Sequence, residues 1–407
     1  MSLPGVLERG DEVLNQFDRR NPFWNFSSHA TCLLAVGWSK LVLYTSYKPK
    51  ITGLEILDQA LEKSQKENRG IMTIMNHMSV VDDPFLWGCL PWRFYRDIDH
   101  IRWGLGAHNV CFQNKFLTYF FSLGKILPTE RFGVGPFQSS LDAAIRIMSP
   151  DDSLNLVYDG TEETNTKWVN PAKQELNKIT PLAQISKEYI SPIIRSKPSW
   201  IHVFPEGFVL QLQQPFQNSM RYFKWGITRI ILESTRQPII IPIFSTGFEK
   251  IAPESAAGGG LLERFLPANF GTEINITIGN PIDDKIIENF RKEWLDLVQK
   301  HLNSGEGDLN DELKFGKAAQ ALRSKISSEL RKAVLEIRNS TGMFPPEDSR
   351  FKDHKFWHDF TKSEGESAPE VKFIGQNWAI RRLQKFLKEH DEYEMSKKHE
   401  EKVKEEK

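Results

Sequence analysis

Asn76-His77-Met78-Ser79-Val80-Val81-Asp82-Asp83-Pro84 sets a histidine and a carboxylate five positions apart where an apolar run gives way to a helical pattern. A neutral imidazole whose Nδ1–H is held by a carboxylate is fixed in one tautomer, and its Nε2 can then take a proton from a hydroxyl. His77 is therefore a candidate general base and Asp82 its orienting partner, with no serine or cysteine nucleophile required. The preceding Ile71-Met72-Thr73-Ile74-Met75 reads as a buried strand. Ser79, followed three residues later by Asp82, reads as a helix N-cap with an acidic first turn. Asp83 precedes Pro84 at a first helical position, which suits a structural role.

A second carboxylate stands at the end of another apolar run. Trp200-Ile201-His202-Val203-Phe204 reads as a buried strand that ends in the turn Pro205-Glu206-Gly207, where proline presets φ and glycine admits positive φ. Phe223-Lys224-Trp225-Gly226 and Pro238-Ile239-Ile240-Ile241-Pro242-Ile243 follow. Between the two carboxylate motifs lies Gly124-Lys125-Ile126-Leu127-Pro128-Thr129-Glu130-Arg131-Phe132-Gly133.

His77 and Asp82, the Glu130-Arg131 stretch, Phe204-Pro205-Glu206-Gly207 and Pro238 to Ile243 occur in the order of the four motifs of the glycerolipid acyltransferases, and the chain resembles that family. The resemblance implies that the acceptor hydroxyl itself attacks the acyl carbonyl. It implies that Arg131 contacts phosphate and that Glu206, on the turn with Gly207, binds polar groups of the acceptor lipid. Gly124 lies one residue too early for the second motif, and Pro128 and Thr129 replace its apolar pair. Gly104-Leu105-Gly106-Ala107-His108-Asn109, Arg131 to Phe137 and Gly375 to Arg382 extend the likeness to the tafazzin family of the fungal type. It runs from near Val6 almost to the tail, with a gap at about 159 to 190. That narrower resemblance implies a CoA-independent transacylase that moves acyl chains between phospholipids and lysophospholipids, cardiolipin among them, on mitochondrial membranes facing the intermembrane space.

The 407 residues are 40% hydrophobic and carry 53 basic and 53 acidic side chains. This is the composition of a globular protein without the global positive field that nucleic acid attracts. Cys32, Cys89 and Cys111 show no metal-ligand spacing and no disulfide framework. Arg9, Asp11, Glu12, Asp18, Arg19 and Arg20 precede the first apolar stretch, which fits neither a signal peptide nor a transit peptide.

That stretch, Ala30 to Tyr44, is interrupted by Lys40 and falls short of the ~20 residues needed to span a bilayer. It reads as a segment that enters one leaflet and returns, or else as a buried helix of the domain. In the first reading Leu33, Leu34, Val36, Trp38, Leu41 and Leu43 touch lipid and Lys40 snorkels toward the headgroups. Farther on, Met220, Phe223, Ile227, Ile230 and Ile231 share a helical face, with Trp225 at its edge and Arg221, Lys224 and Arg229 elsewhere. Met220, Phe223 and Trp225 are candidate membrane contacts of an interfacial helix, and a core helix with a basic outer face fits the same pattern.

These elements define an α/β fold in which helices flank a central sheet. Residues 1–48 form an N-terminal membrane-anchor region, 49–283 the catalytic domain with an inserted loop at 159–190, and 284–407 a helical extension with a charged tail. In the extension Ile287, Phe290, Trp294 and Val298 form one apolar stripe, and Leu322, Ile326, Leu330, Val334 and Ile337 another. The reading is a membrane-bound phospholipid–lysophospholipid transacylase that needs no cofactor, metal or nucleic acid. An acyl-CoA-dependent lysophospholipid acyltransferase would use the same dyad. A metal-dependent hydrolase built on His77, Asp82 and Asp83 lacks further ligands, and a non-enzymatic membrane-binding protein has no need of His77, Asp82 and Glu206.

Overall fold

The computed structural model describes residues 2–18, 21–130, 135–150, 157–158, 168–169, 199–253 apart from 208, 213 and 215, 268–302, 306–364, 383, 385–392 and 395. Arg131, most of the 159–190 segment, the Gly375 to Arg382 motif and the charged tail lie outside the described residues.

Seven short strands pair into one sheet: β1 (Lys48–Thr52), β2 (Ile71–Met75), β3 (Trp103–Ala107), β4 (Ile126–Thr129), β5 (Trp200–Val203), β6 (Ile239–Thr246) and β7 (Glu273–Ile278). Their spatial order is β1-β7-β6-β2-β5-β3-β4. The five strands from β6 to β4 are parallel, β7 runs antiparallel to β6, and β1 is parallel to β7. β2 is buried at every position. Met72 and Ile74 point into one core and Ile71 and Met75 into the other, as expected of a parallel strand covered on both faces.

Among the described residues the longer helices are α1 (Pro4–Leu14), α2 (Pro22–Ser46), α3 (Leu54–Glu67), α4 (Asp82–Cys89), α5 (Lys115–Leu123), α6 (Ser139–Ile147), α7 (Gly226–Glu233), α8 (Asp284–His301), α9 (Lys317–Ser340) and α10 (His354–Glu364). α2, α3 and α4 cover one face of the sheet, and α1, α6, α7, α8 and α9 cover the other. Both C-terminal stripes read from the sequence are buried, on α8 and α9. The aromatics Phe351, Phe356, Trp357 and Phe360 form a third cluster around Leu210 and Leu212, just beyond the Glu206 turn.

Two expectations about lipid-facing segments change. α2 does not turn back: Asn21 caps it by accepting from Phe23 N–H, Pro22 opens it, and it runs unbroken for 25 residues. Val36 and Leu43 are buried against the domain and Leu33 is half-buried, whereas Leu34, Trp38 and Leu41 are exposed. Lys40 donates to the Gly88 and Leu90 carbonyls at the end of α4, where unpaired helix carbonyls attract a cation, so it does not snorkel.

The interfacial helix is likewise corrected. α7 begins only at Gly226, Met220 and Phe223 are buried in the core, and Trp225 is half-buried. Arg221 and Arg229 are buried too. Arg229 is held inside by the carboxylates of Asp142 (2.7 Å) and Glu233 (2.6 Å), which explains why a basic residue faces inward.

Candidate active site

β2 ends at Met75, and the chain crosses to α4 through a turn whose backbone is fixed on all sides. The Asn76 side chain donates to the Ser245 carbonyl (3.0 Å) and accepts from Ser245 N–H (2.8 Å), tying the turn to β6. His77 N–H donates to Glu206 Oε1 (2.8 Å), and the His77 carbonyl accepts from Leu210 N–H (3.1 Å). The turn thus sits outside the carboxyl ends of neighbouring parallel strands, where open α/β sheets form ligand crevices.

Asp82 lies fully buried in the first turn of α4. Its Oδ2 accepts from His77 Nδ1 (2.9 Å), Met78 N–H (2.6 Å) and Ser79 N–H (2.9 Å). Burial pushes the Asp82 carboxyl above its ordinary value, opposed by the bond to His77 and the two backbone donors. Ser79 is not the N-cap expected from the sequence. Val81 holds that position, and the Asp82 side chain reaches back to satisfy the turn's N–H groups itself.

The His77 ring, 19% exposed, stacks on Phe204 with centroids 4.2 Å apart. With Nδ1 committed to Asp82, Nε2 is the ring's free acceptor, the state a general base requires. Beneath Phe204, His202 is buried and bonded to Thr73 Oγ1 (2.8 Å). Burial pushes its pKa down to about 3, so it stays neutral. Asp83 takes no part in the dyad. It accepts from Trp87 Nε1 (2.9 Å) and pairs with Arg102, as its structural reading anticipated.

Glu206 is placed differently from the expectation. It is 1% exposed, and its two oxygens accept from two backbone groups, His77 N–H and Arg221 N–H (3.0 Å). Burial raises its pKa to about 7 against those two donors. A carboxylate so enclosed braces the turn and is not presented to a lipid headgroup. Gly207 has φ +80°, a backbone conformation that favours glycine, and the Lys224 side chain lies against it. Phe204 as a stacking partner and Arg331 as an anchor of the neighbouring segment escaped the sequence reading. A signal for the second existed: Arg323, Arg331 and Arg338 each follow a core position of the α9 stripe, and all three are buried.

Among the described residues, no group of three or more His, Cys, Asp and Glu side chains is placed to hold a metal ion. Cys89 is buried, with its thiol pushed up to about 12 by burial.

Residues 49–246 match the family model described as Acyltransferase, and the site just described falls inside that span. This match, which holds the histidine–aspartate dyad at the end of a strand in the parallel part of the sheet, makes the chain an acyltransferase. Over 388 residues it is 56% identical to Tafazzin of Saccharomyces cerevisiae, covering 95% of this chain and 97% of that one. It is 32% identical to Tafazzin of Drosophila melanogaster over 65% of this chain and 54% of the fly protein. It is 28% identical to N-acylphosphatidylethanolamine synthase of Arabidopsis thaliana over 62% of this chain and 70% of that one. The chain belongs to the tafazzin family, and its activity is that of a phospholipid-remodelling transacylase.

Proposed function

We propose that His77 and Asp82 carry out this transacylation directly between a phospholipid and a lysophospholipid, with cardiolipin and its lyso form among the substrates. The observation that carries the reading is the fixed dyad: one imidazole nitrogen held by a buried carboxylate, the other free. Nε2 takes the proton of the lysolipid hydroxyl as its oxygen attacks the donor's ester carbonyl. The tetrahedral intermediate collapses, and His77 returns the proton to the departing lysolipid oxygen. Because the leaving group is chemically an acceptor, the same apparatus runs in both directions. The test is incubation of the purified protein with radiolabelled phospholipid as sole acyl donor and unlabelled lysophospholipid. Label should move to the acceptor without coenzyme A, and transfer that depends on added acyl-CoA would assign the rival acyl-CoA-dependent reaction.

The proposed setting is a membrane surface, mitochondrial as in the family resemblance. No helix among the described residues is long and apolar enough to cross a membrane. One side of α2 nevertheless exposes Phe23, Phe26, Leu34, Trp38, Leu41 and Tyr44, and Phe116 and Tyr119 of α5 are exposed as well. α5 is tied to α2 by the bond from Ser28 Oγ to the Leu123 carbonyl (2.6 Å). Aromatic side chains at this density suit the headgroup boundary. α2 also packs on α4, whose first residue is Asp82, so lipid contact through α2 would keep the dyad near its substrate.

Serine at Leu34, Trp38 and Phe116 together is expected to lower partitioning onto cardiolipin-containing vesicles by more than about tenfold, since burying each side chain is worth roughly 1.5 kcal/mol. Flotation measures it, and unchanged flotation would remove this face from membrane binding. Tags placed before and after α2 should be accessible from the same side.

A further inference from the structure

We propose that Arg331 and Glu206 are positioning residues for His77, joined through the backbone of Met220–Arg221, so that the C-terminal helix α9 sets the place of the histidine turn. The inference rests on the reading of His77 as the base. It gives a role in acyl transfer to a region beyond the matched acyltransferase span, which ends at residue 246.

The path is a short series of buried hydrogen bonds. Arg331 is 5% exposed and projects from α9 toward the segment that precedes α7. Its Nε donates to the Arg221 carbonyl (2.9 Å) and its Nη2 to the Met220 carbonyl (2.7 Å), so one rigid plane holds two consecutive peptide units. Glu347 completes the clamp: Oε2 pairs with Arg331 Nη2 (2.6 Å), and Oε1 accepts from Met220 N–H (2.6 Å). Arg338, two turns farther along α9, donates to the Asn218 carbonyl (2.8 Å) and secures the same segment.

From there Arg221 N–H reaches Glu206 Oε2, and Glu206 Oε1 takes His77 N–H. A carboxylate can accept on both oxygens at once, whereas an amide offers one acceptor and one donor. A glutamine at 206 therefore meets one of the two N–H groups with its own N–H. A lysine at 331 keeps the charge and loses the planar fork that spans two carbonyls. Glu206→Gln loosens the bond at His77 N–H itself and Arg331→Lys loosens the segment that braces Glu206, while the Nδ1–Asp82 bond stays in place. Displacing a base by about 1 Å costs on the order of 10²-fold in rate.

The test compares Glu206→Gln, Arg331→Lys and their double variant with wild type. The assay uses radiolabelled phosphatidylcholine as donor and lysophosphatidylcholine as acceptor, with thermal unfolding measured alongside. Each single change is expected to lower kcat about 10- to 100-fold with KM within about twofold. The double variant should fall no more than about threefold below the worse single, because both interrupt one path. Methylguanidinium should restore part of the turnover of Arg331→Ala at a temperature where the variant is fully folded without it, where a purely stabilising arginine would leave no loss to restore. Lys325→Gln, on the exposed side of α9, should match wild type.

Should Arg331→Lys fail to fold, Glu347→Gln loosens the same clamp and should give the same split between kcat and KM. Multiplicative losses in the double variant, or wild-type kcat in Arg331→Lys, would overturn the proposal. His77→Ala measured in parallel separates the two readings. If it is inactive while the positioning variants are normal, only the path fails; if it is fully active, the assignment of the base fails first.

Discussion

Alanine at His77 is expected to reduce transacylation on the order of 10²–10⁴-fold, the value of a positioned acid–base group, with little change in thermal stability. The imidazole is partly exposed and bonded through one nitrogen, so its removal leaves Asp82 with two backbone donors still in place. Asp82→Asn should approach the same loss by another route. The amide oxygen can keep the three donors that Oδ2 accepts, but it carries no charge to stabilise the imidazolium that forms as Nε2 takes the proton. Asp83→Asn should behave otherwise: it weakens the pairing with Arg102, so its main cost should appear in stability. Turnover of vesicle-bound phospholipid by each purified variant, set beside its unfolding temperature, separates these outcomes. Wild-type turnover by His77→Ala would remove His77 from the mechanism.

The dyad was legible in the sequence because it is local. His77 and Asp82 lie on one strand-to-helix turn, so their spacing alone brings them together, and the apolar run before them marks the strand. β5 and the two C-terminal stripes were legible for the same reason, since periodicity reports burial along one element. Glu206 was not. Its position at a strand end was visible, but its partners are His77, 129 residues earlier, and Arg221, and only the adjacency of β2 and β5 in the sheet unites them. Exposure at a turn was the natural assumption, and the sheet order reverses it. The apolar stretch of α2 carried a similar ambiguity: composition places hydrophobic residues all round the helix, and only packing against α4 decides that Val36 and Leu43 turn inward while Trp38 and Leu41 remain outside.

Arg229 is where charge pattern and structure diverge most, and the structure predicts a large effect on stability instead of membrane attraction. Its guanidinium is 1% exposed, bonded to Glu233 through Nε and Nη2, to Asp142 through Nη2 and to the Pro136 carbonyl through Nη1. Asp142 keeps a second partner in Arg9 (2.8 Å), but Glu233 has no other ion pair among the described residues. Arg229→Met therefore leaves the buried Glu233 carboxylate without its hydrogen-bonded counter-ion, with Arg323 as the remaining cation near it, and breaking such a pair costs about 3–5 kcal/mol. Chemical denaturation should show a lower midpoint, and Glu233→Leu introduced into Arg229→Met should recover part of the loss by removing the stranded charge. At a temperature where the variant remains folded, its binding to anionic vesicles should equal wild type at low salt, because a buried cation cannot reach a headgroup. A variant of unchanged stability that no longer bound vesicles would place Arg229 at the lipid surface after all and would add the segment around α7 to the membrane face proposed for α2 and α5.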